Sequence, residues 1–494
     1  MPLPQSTLST DEFLELEHDR SAIDAFVGKE NARSASRLED KAFRADRTAI
    51  RSILEDTDKL IQTAQRGKWL YSFERTRTQP RGVWRRIRAN GRPASEGPWE
   101  SVFDLDAFCA REERVWHWRG AVTAPFDPDR VMIALSDGGS DRWRFIEFDC
   151  EAKAFVADGF DLPAQKANVC WLGPDELLVC ASQDGGATRA GWPRVAKRLV
   201  RGASLADAPV VFEGNHTDVG LWAQAFIRGV DTPLMVIRQV IDLGKMALTC
   251  LTDDGVRWQA DTPLDAYVTF SKSHYAYHPR EEADPLCGAL VLCSHEATRA
   301  GRPEHRVVFR PSERKVLDWR GVKLLGDWLI FTVEDNLVPS LYVLSLHDET
   351  AEPEALALPE AGDMVAVVQR HAEPQAGDDS LQLYTQGLLR PPAVYWFDLD
   401  GGPAGVRFAL MGREPDRFRA DCAHARLLTA TSDDGTKVPY RLVLPKDAAP
   451  GDCPVLMYAY GGFGTSVVPG YLGLWGKLWV ERGGAYVLAH IRGG

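Results

Sequence analysis

The chain has 494 residues, which is long enough for two or three domains with a sizeable core. Hydrophobic residues make up 45% of it and charged residues 26%, as in ordinary globular proteins. The formal net charge of −12 argues against nucleic acid as the main partner, because phosphate binding requires a basic face.

The first 58 residues have the pattern of helices. Ser9 and Glu12 have the spacing of a capping box at a helix start. Ile23, Phe26 and Val27 then share one helical face. We therefore predict a helical segment at the start of the chain.

Nine cysteines are scattered along the chain, and none forms a C-x-x-C pair. Buried free thiols in a reducing compartment are the simplest account of them. The N-terminus has no basic region followed by an apolar core, and no run of 18 apolar residues occurs. We expect a cytoplasmic protein with no membrane partner.

Residues 59–412 are a succession of short β-type runs separated by polar turns. Three hairpins show the pattern: Val131–Leu135 with Trp143–Asp149, Leu329–Val333 with Leu341–Leu346, and Leu381–Thr385 with Val394–Leu399, the last through a turn at Pro391 and Pro392. Seven equal units would have about 50 residues each, within the period of propeller blades. Because a blade cannot bury both of its faces alone, blades must stack around an axis. We predict a seven-bladed β-propeller, although a pair of β-sandwiches gives similar local patterns.

One basic cluster lies near the start of this region. It contains seven arginines around one tryptophan: Arg75, Arg77, Arg81, Arg85, Arg86, Arg88, Arg92 and Trp84. We interpret the cluster as a solvated hairpin rather than a ligand-binding patch.

The pattern changes again in residues 413–494. Leu427–Thr431, a polar turn and the alternating segment Val438–Leu444 predict a hairpin. The apolar runs Pro454–Tyr460 and Ala485–Ile491 are typical of buried strands in a parallel sheet.

A crossover helix is predicted between these two apolar runs, at Leu472–Val480. Strand, helix and parallel strand are the beginning of an α/β domain. The expected fold class is therefore mainly β plus α/β.

The strongest chemical signal is Tyr460-Gly461-Gly462, directly after an apolar run. Glycines let the backbone approach a ligand closely. In acyl transfer, a tyrosine hydroxyl or a backbone N–H can stabilise the developing oxyanion. The alternative is a tight turn after a strand, with the tyrosine packed.

A matching nucleophile is absent from the sequence, since no Gly-x-Ser-x-Gly motif occurs. Ser466 follows the glycine loop too soon to have a strand-to-helix turn of its own. Ser140 lies in a predicted hairpin turn. We therefore expect the 494-residue chain to have no hydrolase activity.

No metal or other cofactor is expected. His274 and His278 have the spacing of two ligands on a helix, but the residues around them indicate a strand or a turn. His490, at the end of an apolar run, is interpreted as a packed residue rather than a base.

Three stretches together resemble the prolyl oligopeptidase family of serine peptidases. Tyr458–Phe463 is similar to that family's Tyr-Gly-Tyr-Gly-Gly-Phe loop, and Ser432–Pro439 to its Ser-x-Asp-Gly-Thr-x-Ile-Pro hairpin. Ile491–Gly494 is similar to the start of its Asn-Ile-Arg-Gly-Gly-Gly segment, with His490 in place of the asparagine. The N-terminal residues resemble the family's opening segment, with Phe26 where a tryptophan is usual.

The resemblance implies three regions: an N-terminal helical segment at 1–58 that packs on the hydrolase domain, a β-propeller at 59–412, and an incomplete α/β-hydrolase domain at 413–494. It implies that the Tyr460 hydroxyl stabilises the oxyanion and that Phe463 lines the specificity region near the proline-binding pocket. The serine, aspartate and histidine of the family's triad would follow residue 494.

The function implied by the resemblance is a serine-type oligopeptidase that cleaves short peptides after proline. The expected partner is a short peptide, with no nucleic acid or membrane, and the expected state is a monomer. Two alternatives remain: a non-enzymatic propeller that binds a partner, and an esterase or basic-residue-specific oligopeptidase of the same fold. The Gly-Gly-Phe form of the loop favours the prolyl branch.

Overall fold

The structure is a computed structural model, and it describes residues 13–56, 60, 63–89, 98–226, 233–281, 284–360, 364–369, 381–448, 451, 453–462 and 466–493. The predicted N-terminal helices are confirmed. After a 3₁₀ turn they comprise α1 (Arg20–Leu38) and α2 (Lys41–Leu54). Helix α1 begins at Arg20 because the Asp19 carboxylate accepts a hydrogen bond from the Ser21 amide at 2.8 Å. The predicted capping pair Ser9 and Glu12 lies outside the described residues.

Seven antiparallel sheets follow in chain order within the described residues. The first two are β1 (Ala64–Arg66), β2 (Trp69–Glu74), β3 (Val83–Arg88) and β4 (Glu100–Asp104), then β5 (Trp116–Ala124), β6 (Asp127–Asp137), β7 (Trp143–Asp149), β8 (Ala154–Phe155) and β9 (Asp161–Gln165). The third and fourth are β10 (Ala167–Gly173), β11 (Glu176–Ala181), β12 (Val195–Val200) and β13 (Val210–Glu213), then β14 (Gly220–Phe226), β15 (Leu234–Asp242), β16 (Lys245–Thr252) and β17 (Arg257–Gln259).

The fifth to seventh sheets repeat the same four-stranded order. They are β18 (Tyr267–Phe270), β19 (His274–His278), β20 (Leu290–Ser294) and β21 (Arg306–Phe309); β22 (Lys315–Leu325), β23 (Trp328–Asp335), β24 (Val338–Ser345) and β25 (Glu354–Ala355); and β26 (Met364–Gln369), β27 (Leu381–Gly387), β28 (Arg390–Phe397) and β29 (Ala409–Arg413). Two short helices, α3 (Leu105–Glu112) and α4 (His295–Arg299), lie in this region.

Each of the first six sheets buries one face against the next sheet in the chain. Tyr71 and Trp84 of the first sheet pack with Ile133 of the second, and Leu317 and Phe331 of the sixth pack with residues of the fifth. A fully buried side chain of this size contributes roughly 1.5–3 kcal/mol. The core is therefore divided among successive sheet interfaces, as expected of stacked blades.

The three hairpins expected from the sequence are confirmed as β6–β7, β23–β24 and β27–β28. The position of Pro391 and Pro392 is a correction, because they lie inside β28 rather than in the turn before it. They fall where the register with β27 shifts, between the pairs Gly387–Arg390 and Thr385–Ala393. A prolyl residue has no N–H to donate, so it is tolerated at such an irregularity.

The interpretation of the basic cluster as solvated is wrong for Arg86. This residue of β3 is only 3% exposed. Its guanidinium lies 4.1 Å from the ring centroid of Trp69 and donates to the Glu100 carboxylate. Glu151 lies 3.1 Å away from it on the other side. Cation–π contact and carboxylates replace the lost hydration.

Glu147 on β7 joins the second sheet to the third, and it is fully buried. Its carboxylate accepts hydrogen bonds from Arg130 at 3.0 Å, from Arg201 at 2.7 Å and from the Phe160 amide at 2.9 Å. Burial alone would raise the pKa of Glu147, but Arg201, the Phe160 amide and Arg130 together lower it below its ordinary value. Glu147 is therefore a buried carboxylate with two cationic partners.

A mixed sheet ends the chain, in the order β30, β31, β33, β32. Its strands are β30 (Ala423–Thr431), β31 (Lys437–Pro445), β32 (Val455–Ala459) and β33 (Ala485–Ala489), with α5 (Gly473–Leu478) between the last two. The predicted hairpin β30–β31, the crossover helix and the parallel pair β32–β33 are confirmed. Within the described residues β32 is an edge strand of this sheet, and Met457 is 65% exposed.

Contacts between distant parts of the chain hold the terminal regions together. Asp46 of α2 pairs with Arg482, which follows α5, at 3.0 Å. Asp56 likewise accepts from Arg417. The N-terminal helices thus lie against the C-terminal sheet and its helix.

All nine cysteines are free thiols, and six of them are buried. Among the residues that the structure describes, none of the helices has both the length and the apolar character needed to cross a bilayer.

Glu147→Gln is expected to destabilise the protein by about 3–5 kcal/mol, because it leaves two guanidinium groups beside a neutral amide. The matched control is Glu213→Gln, which removes the 58% exposed partner of Arg194 and is expected to cost less than about 1 kcal/mol. Urea unfolding followed by tryptophan fluorescence measures both. Equal losses in the two variants would contradict a special role for Glu147.

The contribution of Glu147 should also depend on pH. Because the folded pKa lies below the unfolded one, the stabilisation is present above the unfolded pKa of about 4.3 and is lost as pH falls through the folded value. The difference in urea midpoint between wild type and Glu147→Gln should therefore be constant from pH 8 to 6 and shrink below about pH 4. A difference that grows on acidification would show the opposite linkage.

Candidate functional site

The candidate site lies at one edge of the C-terminal sheet. Tyr460 directly follows β32 and His490 directly follows β33. Because these strands are parallel neighbours, their carboxyl ends meet at the same edge. That edge is where open α/β sheets bind ligands.

The turn between β30 and β31 reaches the same edge. The start of β31 pairs with the end of β33, with Tyr440 opposite Ala489. The His490 amide continues this pairing by donating to the Pro439 carbonyl at 3.0 Å. The three stretches singled out in the sequence are thus brought together.

Arg492 connects the end of β33 to this turn. Its guanidinium donates to the Asp434 carboxylate, to Thr436 Oγ1 at 3.2 Å and to Ser432 Oγ at 3.4 Å. The Arg492 hydrogen bond is the main cause that lowers the pKa of Asp434. Three side chains of one turn therefore fix the direction in which the chain leaves β33.

The backbones of the two strand-end loops then touch. A Cβ atom on Gly461 would lie 2.3 Å from the Arg492 carbonyl oxygen. A Cβ atom on Gly493 would lie 2.4 Å from the Gly461 carbonyl oxygen, and Gly493 has a φ of +88°. Only glycine fits at either position, because the obstacle is backbone that cannot rotate away.

Tyr460 lies at the open side of this contact and is 41% exposed. Its phenol bends back over the loop, so that its hydroxyl oxygen would be 3.0 Å from a Cβ atom on Gly462. Gly462 therefore leaves room for the tyrosine hydroxyl above the loop backbone. The other predicted site residue, Phe463, lies outside the described residues.

The two serines considered from the sequence are not placed as nucleophiles. Ser140 is confirmed as a turn residue, since its hydroxyl donates to the Asp137 carbonyl at 2.8 Å. Ser466 is exposed and lies outside any helix or strand, seven residues before α5 begins. Its carbonyl accepts a hydrogen bond from Arg320 Nη1 at 3.3 Å.

His490 is half-buried. Burial is the first cause that lowers its pKa, and the nearby Arg441 charge lowers it further. This placement agrees with a packed histidine.

The sixth and seventh antiparallel sheets position the whole edge. Arg441 of β31 donates to the Leu337 carbonyl, in the β23–β24 turn, at 2.6 Å. The Leu472 amide donates to the Leu388 carbonyl, in the β27–β28 turn, at 3.0 Å. Gln386 adds a bond from the Tyr471 amide at 3.2 Å. The candidate site thus faces one end of the antiparallel sheets.

At this edge the Tyr460 hydroxyl can donate a hydrogen bond above the backbone of the glycine loop. The β30–β31 turn, which binds Arg492, lies beside it. A donor of this kind can stabilise an oxygen that becomes negative during acyl transfer. The role of Arg492 and Asp434 as organisers of the edge was missed from the sequence. Their spacing along the chain, 58 residues, gives no local signal.

The family model described as the N-terminal β-propeller domain of prolyl oligopeptidase matches residues 11–218. An uncharacterised peptidase of Sinorhizobium fredii is 29% identical over 465 residues, covering 90% of this chain and 62% of that protein. An uncharacterised peptidase of Rickettsia prowazekii is 24% identical over 469 residues, covering 90% and 63%. The chain thus spans about three-fifths of the length of these curated relatives.

Among solved structures, a post-proline cleaving enzyme from Rickettsia typhi has a TM-score of 0.85 at 22% identity. The match covers 98% of this chain and 72% of that one. At this identity the likeness shows the fold. Together with the family model, it identifies the N-terminal antiparallel sheets as a β-propeller domain in a mostly β chain.

Gly461→Ala is expected to separate the two strand-end loops and to destabilise the C-terminal sheet by about 1–3 kcal/mol, since the new methyl overlaps a carbonyl oxygen. Hydrogen exchange of the β32 and β33 amides measures the effect, which should appear as faster exchange. The control is Gly405→Ala, where nothing lies within 4 Å of the added atom. Unchanged exchange in Gly461→Ala would contradict the close contact.

Proposed function

The chain belongs to the prolyl oligopeptidase family, and we propose that the protein is a serine-type oligopeptidase that hydrolyses short peptides. The observation that carries the proposal is the 41% exposed Tyr460, whose hydroxyl lies above a glycine loop at the carboxyl edge of a parallel strand pair. The relatives that match along most of this chain are themselves named peptidases.

The proposed division of the chain is a helical segment at 1–58, a seven-bladed propeller at 59–412 and the first part of an α/β-hydrolase domain at 413–494. Seven consecutive antiparallel sheets among the described residues support the number of blades. The hairpin, the crossover helix and the parallel strand pair support the start of a hydrolase domain.

In the proposed reaction, a serine outside these 494 residues attacks the scissile carbonyl while a histidine takes its proton. The carbonyl oxygen becomes an oxyanion, and the Tyr460 hydroxyl donates a hydrogen bond to it. Collapse of the intermediate expels the amine with the returned proton, and water then hydrolyses the acyl-enzyme. Tyr460 acts only as the charge develops, so it lowers the barrier rather than tightening substrate binding.

Cleavage after proline is proposed as the specificity. It is supported by the solved structure of a post-proline cleaving enzyme with this fold, and by the Gly-Gly-Phe sequence that ends at Phe463. We propose that Phe463 lines the pocket for the prolyl ring. The proposal also includes a monomeric, cytoplasmic protein that acts on short peptides without a cofactor.

Tyr460→Phe tests the role of the hydroxyl in a protein that carries this chain and the rest of the hydrolase domain. Loss of one oxyanion donor should lower kcat by about 10²–10³-fold and leave KM nearly unchanged. The matched control is Tyr458→Phe, two residues earlier and 52% exposed. Steady-state hydrolysis of a chromogenic glycyl-prolyl peptide measures both. Equal rates in the two variants would remove Tyr460 from the mechanism.

A fluorophosphonate probe, which labels activated serines, tests where the nucleophile lies. It should label the protein with the rest of the hydrolase domain and leave the 494-residue chain unlabelled, because no Gly-x-Ser-x-Gly occurs in that sequence. Labelling of the shorter chain would place an activated serine within it. Failure of both to label would favour a binding role.

A further inference from the structure

A stack of aromatic rings lies on the fifth and sixth antiparallel sheets. Trp319 of β22 and Tyr267 of β18 are parallel, with ring centroids 3.8 Å apart and planes within 8°. His278 of β19 continues the stack on Tyr267, with an interplanar angle of 6°. Trp319, Tyr267 and His278 are called the aromatic stack below.

Arg280 holds Tyr267 of the aromatic stack in place. The Arg280 guanidinium lies 4.6 Å from the Tyr267 ring centroid, a cation–π contact. Arg280 Nε donates to the Asp265 carbonyl at 2.6 Å, and the Asp265 carboxylate accepts from the Arg280 amide at 2.9 Å. Asp265 is buried, so this anchor is shielded from water.

The aromatic stack lies at the end of the propeller that faces the C-terminal sheet. Tyr267 begins β18 and pairs with His278, the last residue of β19. Trp319 stands where β22 departs from its register with β23. The next residue, Arg320, donates to the carbonyl of Ser466.

That hydrogen bond ties the stack to the candidate site. Ser466 comes six residues after Tyr460, on the segment that leaves the glycine loop. The strand that carries Trp319 is therefore in contact with the segment that continues from the proposed oxyanion donor. We infer that a peptide bound at Tyr460 and extending towards Ser466 would meet this strand.

Within the described residues, Trp319 is 40% exposed although one of its faces is covered by Tyr267. An indole that is fixed on one face and open on the other is a preformed surface for a second ring. Proline and aromatic rings bind such surfaces well, since they lose little conformational entropy and their polarised C–H groups meet an electron-rich face. Flexible aliphatic side chains gain less from a flat surface.

We propose that the aromatic stack is a binding subsite, on the propeller, for a prolyl residue of the peptide substrate. The subsite acts at a substrate position away from the scissile bond. The inference rests on the proposed peptidase function for its substrate class. It assigns to Trp319 a role in selecting peptides.

Direct binding to the 494-residue chain tests the proposal without requiring hydrolysis. The probes are a fluorescein-labelled octapeptide with prolines at alternate positions and the same peptide with leucine at those positions. Fluorescence anisotropy should show tighter binding of the proline peptide by wild type. Trp319→Leu should weaken that binding about three- to tenfold and leave the leucine peptide unaffected.

Two further variants control this experiment. Trp319→Phe keeps a flat ring and should retain the preference for the proline peptide. Trp475→Leu removes a 55% exposed tryptophan of α5 and should change neither affinity. Circular dichroism and urea unfolding identify any variant that does not fold. If Trp319→Leu does not fold, the affinity of Trp319→Phe for the two peptides decides: a retained proline preference supports the subsite, and a lost one contradicts it.

Several outcomes would overturn the inference. They are equal affinity of wild type for the two peptides, no binding of either peptide, and a Trp319→Leu variant that is less stable but binds normally. The last result would show that Trp319 only packs against other parts of the protein. The proposed function fails separately: if Trp319-dependent binding is found while the protein with the rest of the hydrolase domain cleaves no peptide, only the peptidase assignment is lost.

Discussion

The parallel pairing of β32 with β33 is the constraint on which the candidate site depends. It brings the carboxyl ends of two strands, 30 residues apart in sequence, to one edge of the sheet. The loops that follow then approach closely. A side chain at Gly461 would overlap the Arg492 carbonyl oxygen, and one at Gly493 would overlap the Gly461 carbonyl oxygen. A shift of the register by one residue would turn Tyr460 to the opposite face of the sheet.

The sixth and seventh antiparallel sheets contact the region around this edge. Their turns accept hydrogen bonds at Leu337, from Arg441 of β31, and at Leu388, from the Leu472 amide before α5. The bonds use backbone carbonyls, so they depend on the path of the chain more than on the identity of the turn residues. The N-terminal helices contribute from the other end of the sequence, through the Asp46–Arg482 pair. All three parts of the chain thus contact the C-terminal region that carries the edge.

Most of the fold was predicted from local patterns in the sequence. Alternating strands, the hairpin before β31 and the crossover helix follow from the periodicity and turn residues of short segments. The errors have a common origin in contacts between distant residues. Arg86 is buried because Trp69 and Glu100, which lie on neighbouring strands, surround it. For the site, Tyr460 was found from its motif, whereas Arg492, Asp434 and Trp319 depend on tertiary contacts that no local spacing records.

The stability of the loop at Tyr460 comes mainly from sterics and backbone bonds. The Arg492–Asp434 pair looks like its principal anchor, yet both side chains are more than half exposed, at 59% and 52%. Exposed pairs of this kind are screened by water and salt. The contact between Gly461 and Gly493 is unaffected by salt, and so is the hydrogen bond from the His490 amide to Pro439. Oxyanion stabilisation needs donors that are fixed before charge develops. An edge fixed by glycine contacts and backbone pairing meets that need at any ionic strength, while the arginine only sets the direction of the chain.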